Sequence, residues 1–248
     1  MVANYQQRQS QGISVLVVGA NGRTGAKLVK KFANHATKPI VNAFVRDMSK
    51  LTLATRSLIG PRNIFVGDEC NAQDIEEALV QSKANVIVVA VGNGDSLSKT
   101  SIRTDTAKSI VSVLSQEPFE HVKVMVISSN GAGGSRINVG LFGAGKLLEM
   151  ALRNVLKDHD GQEAAFRSSS SGNMMDRTVI VRPTALVDNY PTGNIAQFGD
   201  LQEQPTMNTD RDDLADWIVE EITGGFGGNI DDNLRLFGNK IATISSVK

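Results

Sequence analysis

Short apolar runs rich in β-branched residues recur along the chain, separated by segments that have the period of an α-helix. The runs lie at residues 13–18, 40–45, 64–66, 86–91, 122–127 and 179–181. Because most of them are continuous rather than alternating, they are typical of strands that are buried on both faces of a parallel sheet. The helical segments lie at residues 24–33, 49–58, 72–80, 98–114 and 143–156. This alternation predicts an α/β fold built on a doubly wound parallel sheet.

The third helix has the clearest beginning. Asn71 can cap it, and Asp74 follows three residues later, in a pattern close to a capping box. Ile75, Ala78 and Leu79 then recur at the spacing of one buried helix face.

Residues 157–177 interrupt this rhythm, because they hold little apolar content and two clusters of loop formers, at 158–161 and 168–173. They predict a mobile insertion near residues 158–176. After residue 183 the chain is rich in Gly, Pro and Asn, and a helical pattern with one apolar face follows at residues 211–222. We interpret this last part as a small C-terminal cap on the sheet edge, within a single domain of residues 13–248.

Composition and charge narrow the possible partners. Lys plus Arg and Asp plus Glu number 26 each, so the chain has no global field to attract nucleic acid or an anionic membrane, and we expect neither as a partner. Residues 1–12 are polar and Gln-rich, which predicts a disordered arm rather than a signal peptide. The single cysteine, Cys70, cannot form an internal disulfide, and a soluble cytoplasmic protein is the expectation.

Three glycines follow the first strand directly and open the first helix. Gly19, Gly22 and Gly25 stand where a dinucleotide-binding loop needs tight turns and a close approach of the backbone to a pyrophosphate. The unpaired N–H groups of the helix N-terminus would bind that anion. A glycine-rich turn that merely connects strand to helix is the alternative, but the position at the first βα junction favours a nucleotide-binding Rossmann fold.

The end of the second strand bears on the choice of cofactor. An NAD enzyme places an Asp or Glu there to hold the ribose hydroxyls, whereas this chain has Arg46. A guanidinium can hold a 2′-phosphate with two hydrogen bonds, and Arg23 and Lys50 are expected to add positive charge to the same corner. The adjacent Asp47 is an acid and would favour NAD, but we interpret it as the cap of the following helix. The sequence therefore favours NADP over NAD.

These residues resemble the atypical branch of the short-chain dehydrogenase/reductase superfamily, and within it the NmrA-like and biliverdin reductase B (flavin reductase) group. The resemblance covers most of the chain. It is carried by Gly-Ala-Asn-Gly-Arg-Thr-Gly at 19–25, Val-Arg-Asp-Met-Ser-Lys at 45–50, Val-Gly-Asp at 66–68, Val-Val-Ala-Val-Gly at 88–92, Val-Ile-Ser-Ser at 126–129 and Ile-Val-Arg-Pro at 180–183.

The resemblance implies a set of contacts along the cofactor. It places Asp68 and Glu69 by the adenine, Ala90, Val91 and Gly92 by the adenosine ribose, and Ser128 with Pro183 near the nicotinamide. These positions follow strands, where ligands bind in an open α/β sheet. For Asp68 a helix-capping carboxylate is the alternative. The cofactor-binding residues expected in full are Gly19, Asn21, Gly22, Arg23, Thr24, Gly25, Arg46, Lys50, Asp68, Glu69, Ala90, Val91, Gly92, Ser128, Lys146 and Pro183.

The catalytic signature of the superfamily is Tyr-x-x-x-Lys, whose spacing puts phenol and ammonium on one helix face. The segment that matches it here begins with Phe142 and ends with Lys146. Phenylalanine cannot donate a proton, so reduction of simple carbonyls by this dyad is not expected. Ser129 and Lys146 remain the candidate catalytic residues, with a plain surface lysine as the alternative for Lys146. His35, His121 and His159 stand at no metal-site or triad spacing and receive no role.

Three functions are compatible with this pattern. One is an NADPH-dependent reductase whose acceptor, such as a flavin, a quinone or a linear tetrapyrrole, is protonated from solvent. Another is a non-catalytic NADP sensor of the NmrA-like type, and the third is a cofactor-bound assembly scaffold. The fold alone does not choose among them, and the sequence leaves the acceptor and the oligomeric state open.

Overall fold

The computed structural model describes residues 12–137, 144–168, 174–189, 191–199, 205–224 and 240–247. The strands are β1 Ser14–Val18, β2 Ile40–Val45, β3 Ile64–Val66, β4 Val86–Val89, β5 Lys123–Ile127, β6 Thr178–Pro183, β7 Ala185–Val187, β8 Ile195–Phe198, β9 Asn208–Asp210 and β10 Lys240–Ser246. The α-helices are α1 Arg23–Asn34, α2 Leu53–Ile59, α3 Ala72–Ser82, α4 Ile102–Leu114, α5 Ala144–Ala151, α6 Arg153–Arg167 and α7 Arg211–Thr223.

The main sheet has eight strands in the order β3-β2-β1-β4-β5-β6-β10-β8. Its pairs are parallel except for β10 with β8. Alternate side chains of each central strand enter two separate cores. Val15 and Val17 of β1 pack with α1 and α7, whereas Leu16 and Val18 pack with α3, α4 and α6. Helices therefore cover both faces, which confirms the doubly wound parallel sheet and explains why its strands are continuously apolar.

Local capping follows the sequence closely. The Asn71 side chain accepts a hydrogen bond from Gln73 N (3.0 Å) at the start of α3. Asp47 accepts from Ser49 N (2.9 Å) and caps a short 3₁₀ helix, Met48–Lys50. Both assignments are confirmed, because each carboxylate or amide oxygen satisfies a backbone N–H group at a helix start that the helix itself leaves unpaired.

The predicted mobile insertion near residues 158–176 is wrong over its helical part. Helix α6 runs from Arg153 to Arg167 and packs against α4, with Asp158 and Glu163 buried. The sequence pattern did not predict this helix, because its inner face combines buried charged and polar residues with the apolar side chains of Leu156 and Phe166. Met174 is also buried in the core and anchors the chain there. Residues 169–173 lie outside the described part.

The last third of the chain contributes to the sheet as well as covering its edge. Strand β10 pairs in parallel with β6, and β8 pairs with β10. The small second sheet joins β7 to β9. Among the described residues, none of the helices combines the length and the apolar character that crossing a membrane requires. The predicted N-terminal arm lies outside the described residues, except for Gly12.

Candidate functional site

The turn between β1 and α1 forms the centre of the site. Gly19 has a φ of 86°, and its N–H donates to the Phe44 carbonyl of β2 (3.2 Å). Gly22 N donates to Gly19 O (3.0 Å), and Gly22 is the N-cap residue of α1. This N-cap has no side-chain partner, and no acidic residue stands in the first turn. The N-terminus of α1 is thus left available to an anion.

The three glycines of this loop differ in what they require. A Cβ at Gly19 would lie 2.8 Å from Ala90 O, and a Cβ at Gly25 would lie 2.9 Å from the Cα of Ala20 and closer still to Gly19 O. Gly22 has an ordinary φ of −70°, and a Cβ there would lie 3.2 Å from Gly19 O. Gly19 and Gly25 are therefore needed for the loop to fold. Gly22 is not needed for folding in this way, but it lines the cleft, where the absence of a side chain leaves space for a ligand.

A cleft of about 320 Å³ extends from this loop across the carboxyl ends of the strands. Its walls combine β1, β2, β3 and β4 termini. The lining residues are Gly19, Asn21, Gly22, Phe44, Val45, Arg46, Glu69, Ala90, Val91 and Gly92. Eight of the residues expected to bind a cofactor are brought together here, because the carboxyl ends of parallel strands meet at one edge of the sheet.

The predicted adenine-ribose end of the cleft holds one ion pair. Arg46 Nε lies 3.2 Å from Glu69 Oε1, with side-chain exposures of 58% and 7%. Burial raises the pKa of Glu69, and the Arg46 charge acts against that rise. Asp68, by contrast, is exposed and accepts from Cys70 N (2.9 Å). Its carboxylate supports the turn before α3, whose cap is Asn71, so Asp68 neither caps that helix nor lines the cleft.

The expected positive corner around Arg46 is only partly formed. Arg23 points elsewhere: its guanidinium pairs with Asp95 in the segment after β4 and lies 3.7 Å from Asp188, which follows β7. Since β4 lies on the other side of β1 from β2, the prediction that Arg23 joins Arg46 is wrong. The carboxylates attract the guanidinium more strongly than an exposed corner does. Lys50 is exposed and does not line the cleft.

The carboxyl ends of β5 and β6 hold a buried ionic cluster. Ser128 Oγ donates to Glu163 Oε1 of α6 (2.7 Å). Arg182 donates through Nε to Oε1 (2.9 Å) and through Nη2 to Oε2 (2.7 Å) of the same carboxylate. Arg167 adds a bond to Oε2 (2.9 Å). Arg182 and Glu163 side chains are both 1% exposed, so this is a fully desolvated, bidentate pair.

This cluster also fixes the chain after β5. Arg182 Nη2 donates to Gly133 O (3.0 Å), and Gly133 N donates to Asp160 Oδ1 (2.7 Å). Asn130 N donates to Pro183 O (2.9 Å). These bonds hold the segment that carries Ser129 against β6. Ser129 itself is half-buried, and its hydroxyl donates to Asn130 O (3.1 Å).

Lys146 is not brought to these serines. It lies exposed on the short helix α5, and in the described part of the chain no hydrogen bond or ion pair joins it to Ser128 or Ser129. Phe142 lies outside the described residues. A catalytic role for Lys146 stays a prediction from the resemblance.

Sequence reasoning missed the residues that α6 contributes. Asp158 accepts from Arg103 N (3.2 Å) and Thr104 N (3.0 Å), and so caps α4 from a neighbouring helix. The Arg103 side chain fills the space behind Gly92, where a Cβ would lie 2.9 Å from Nη2. The signal was the spacing of Asp158 and Glu163 with Gln162 and Phe166, one helix face in a stretch that loop formers dominate.

The residues present fit a nicotinamide dinucleotide. The loop supplies an uncapped helix N-terminus for the pyrophosphate, the cleft has room along the strand ends, and a cation stands at the end of β2. Within the described residues, no cluster of His, Cys, Asp and Glu has the composition of a metal site. The arrangement therefore supports binding of a phosphate-bearing dinucleotide.

Comparisons with known proteins agree with this interpretation. A short-chain dehydrogenase/reductase from Veillonella parvula, solved in complex with NADP, has a TM-score of 0.71 and 15% identity, over 95% of each chain. The anaerobilin reductase ChuY from Escherichia coli O157:H7 has a TM-score of 0.66 and 18% identity, over 94% of this chain and 98% of that one. At these identities the likenesses show the fold alone, an α/β fold with a mostly parallel sheet.

The sequence relatives are longer proteins. Sterol-4-alpha-carboxylate 3-dehydrogenase, decarboxylating, from Candida albicans is 25% identical over 238 residues, which are 92% of this chain and 65% of that protein. The chain thus spans less than two thirds of the length of this relative. The sequence profile described as NAD(P)H-binding matches residues 19–224. Since that match includes the phosphate loop, the cleft and α7, this chain belongs to the NAD(P)H-binding family.

Proposed function

We propose that this protein is an NADPH-dependent reductase whose acceptor is a flavin, a quinone or a linear tetrapyrrole. The observation that carries the choice of NADPH is Arg46. It lines the cleft at the end of β2 with 58% of its side chain exposed, where an NAD enzyme has an acid. The neighbouring acid, Asp47, is engaged with Ser49 N and Oγ and does not replace that function.

The residues of the site bind and orient in this proposal. The N–H groups at the start of α1 hold the pyrophosphate, Arg46 holds the 2′-phosphate, and Ala90, Val91 and Gly92 allow close approach beside the strand ends. Bound NADPH supplies the hydride. The segment from Ser128 to Gly133, fixed by Arg182 and Glu163, forms one side of the space for the acceptor.

The choice of acceptor class follows from the supply of protons. The Ser128 hydroxyl donates a hydrogen bond to Glu163. Phe142 has no proton to donate, and Lys146 is exposed on α5. A ketone needs a proton on its oxygen as the hydride arrives, and general acid catalysis of that kind is worth about 10²–10⁴ in rate. Flavins, quinones and linear tetrapyrroles take the hydride without an enzymic phenol and are protonated from solvent. The solved anaerobilin reductase with the same fold supports the tetrapyrrole among them.

Cofactor choice is tested by titrating the protein with NADPH and NADH. We expect NADPH to bind more tightly, because the 2′-phosphate forms charge-assisted hydrogen bonds worth about 1.5–3 kcal/mol, a factor of about 10–100 in Kd. Arg46→Ala should remove this preference, and Arg62→Ala, a change of an exposed arginine outside the cleft, should retain it. Equal affinities in the wild type would contradict the proposal.

The acceptor is tested by following NADPH oxidation with a flavin, a quinone, a linear tetrapyrrole and a simple ketone. Turnover with one of the first three and weak turnover with the ketone is the expected result. Tight NADPH binding with no turnover on any of them would indicate the non-catalytic sensor instead. Rapid ketone reduction would show that another residue donates the proton.

A further inference from the structure

The ion pair in the cleft joins an exposed arginine side chain, that of Arg46, to a buried carboxylate, that of Glu69. Arg46 is 58% exposed, whereas the Glu69 side chain is 7% exposed, and Nε of the first lies 3.2 Å from Oε1 of the second. In the described part of the chain, Glu69 is the acid that pairs with Arg46. Both side chains line the cleft, so the geometry of this pair decides how the guanidinium faces a ligand.

The carboxylate contacts one particular edge of the guanidinium. Nε is the nitrogen next to the aliphatic stem, and a contact there leaves the terminal nitrogens Nη1 and Nη2 outward. These two nitrogens form the fork that can bind two oxygens of one phosphate. A contact through Nη2 would instead have consumed half of that fork. Glu69 therefore holds Arg46 in a manner that leaves its phosphate-binding edge available.

The turn that carries Glu69 is rigid enough to serve this purpose. Asp74 accepts from Asp68 N (2.7 Å), Asp68 accepts from Cys70 N (2.9 Å), and Ser109 Oγ of α4 donates to Cys70 O (2.7 Å). Glu69 thus stands on backbone fixed from both sides. An arginine side chain that is otherwise free loses rotamer entropy when it orders against a ligand, and a fixed carboxylate removes part of that cost before binding.

We propose that Glu69 is a positioning residue for the 2′-phosphate: it orients Arg46 through Nε and so increases the preference for NADPH over NADH. This inference rests on the proposed function, in which Arg46 binds the 2′-phosphate. It also runs against simple electrostatics. A negative charge 3.2 Å from the guanidinium repels a phosphate, so a purely Coulombic role predicts that removing Glu69 strengthens NADPH binding.

The positioning role and the Coulombic role predict opposite changes in NADPH preference when Glu69 is removed, so one experiment distinguishes them. The ratio of the NADH and NADPH dissociation constants is measured for the wild type, Glu69→Ala and Glu69→Gln, with Glu77→Ala as a matched acid outside this cleft. We expect Glu69→Ala to lower the ratio by about 2- to 10-fold, the effect of one freed side chain. Glu69→Gln should retain the ratio, because its amide oxygen can take the position of the carboxylate oxygen beside Nε. Glu77→Ala should not change it.

The ratio is insensitive to partial misfolding, since both cofactors report on the same folded fraction. A higher ratio in both Glu69 variants would show that its charge only repels the phosphate and would overturn the inference, as would an unchanged ratio in Glu69→Ala. In those cases the loss of preference in Arg46→Ala would still support the proposed cofactor. A wild type without any preference would overturn both proposals together.

Discussion

The Cα of Gly25 faces the carbonyl of Gly19 so closely that no side chain fits between them. A Cβ added at Gly25 would overlap Gly19 O and lie 2.9 Å from the Cα of Ala20. Both obstacles are backbone atoms of the same loop, which cannot move without changing the path of the chain into α1. The loop therefore depends on Gly25 for its own folding, before any ligand is present.

Substitutions at Gly25 and Gly22 should accordingly differ. Gly25→Ala should distort the phosphate loop and lower the free energy of unfolding, as forced overpacking does by about 1–3 kcal/mol. Gly22→Ala should stay folded, because its φ is −70° and its Cβ would lie 3.2 Å from Gly19 O and 3.8 Å from Ala90 O. We expect Gly22→Ala, and more so Gly22→Val, to weaken NADPH binding. Denaturant unfolding and cofactor titration measure the two effects. Unchanged binding in Gly22→Val would show that the pyrophosphate lies elsewhere.

The buried cluster at the ends of β5 and β6 should dominate stability in this region. Glu163→Ala leaves Arg182 buried without its bidentate partner, and we expect a loss of about 3–5 kcal/mol in the free energy of unfolding. Ser128→Ala removes one hydrogen bond to the carboxylate, and about 1.5–3 kcal/mol is expected. Urea unfolding measures both. Equal losses in the two variants would contradict the view that the uncompensated arginine is the larger cost.

His159 should make stability depend on pH. Burial in α6, together with the charge of Arg103, lowers its pKa from 6.5 to about 3. In the unfolded chain His159 therefore binds a proton below about pH 6.5, whereas in the folded protein it stays neutral down to about pH 3. The free energy of unfolding should fall as the pH drops through this window, with a slope that approaches about 1.4 kcal/mol per pH unit.

The measurement compares the wild type with His159→Gln between pH 7 and pH 5, where most carboxylates stay ionised. The variant should show a flatter dependence than the wild type, whatever its absolute stability. Parallel curves for the two proteins would mean that His159 is charged, or absent from the core, in the folded state.

The ion pairs between α1 and α7 should contribute little and depend on salt. Lys27 pairs with Asp212, and Lys31 lies 2.7 Å from Asp216. Burial raises the pKa of Asp212, but Lys27 and Lys31 outweigh it and hold that pKa below its ordinary value. Because these side chains are 24–57% exposed, Asp212→Asn should cost less than about 1 kcal/mol, and the loss should vanish in high salt. A larger loss that persists in high salt would indicate a packing defect instead.

The pattern of the sequence already contained six of the eight strands of the main sheet, β1 to β6, and the phosphate loop. Strands β2 and β3 have the predicted bounds, residues 40–45 and 64–66. Buried parallel strands are short continuous apolar runs, and such runs are visible without any knowledge of their neighbours. The first βα turn was equally visible, because its glycines are required by backbone contacts between residues that are close in the sequence.

The C-terminal strands were less accessible. Strand β10 pairs with β6, and β8 with β10, although β8 is short and both strands include polar residues. What stabilises them is the pairing itself, which depends on a partner far away in the chain. Helix α6 was missed for a similar reason, since Asp158 and Glu163 are stable inside only when their partners on α4, β5 and β6 are in place.

The sequence by itself determined the fold class, the phosphate loop and the cation at the end of β2, because local backbone constraints and burial patterns are written in neighbouring residues. Only the tertiary structure decided the partners of the charged side chains: Arg23 with Asp95, Arg46 with Glu69, and Arg182 with Glu163. The partners are separated by 19 to 72 residues in the sequence, so their pairing depends on the folded geometry, which no local pattern records. For the buried pair of Arg182 and Glu163, this geometry also determines whether either charge is stable in the interior.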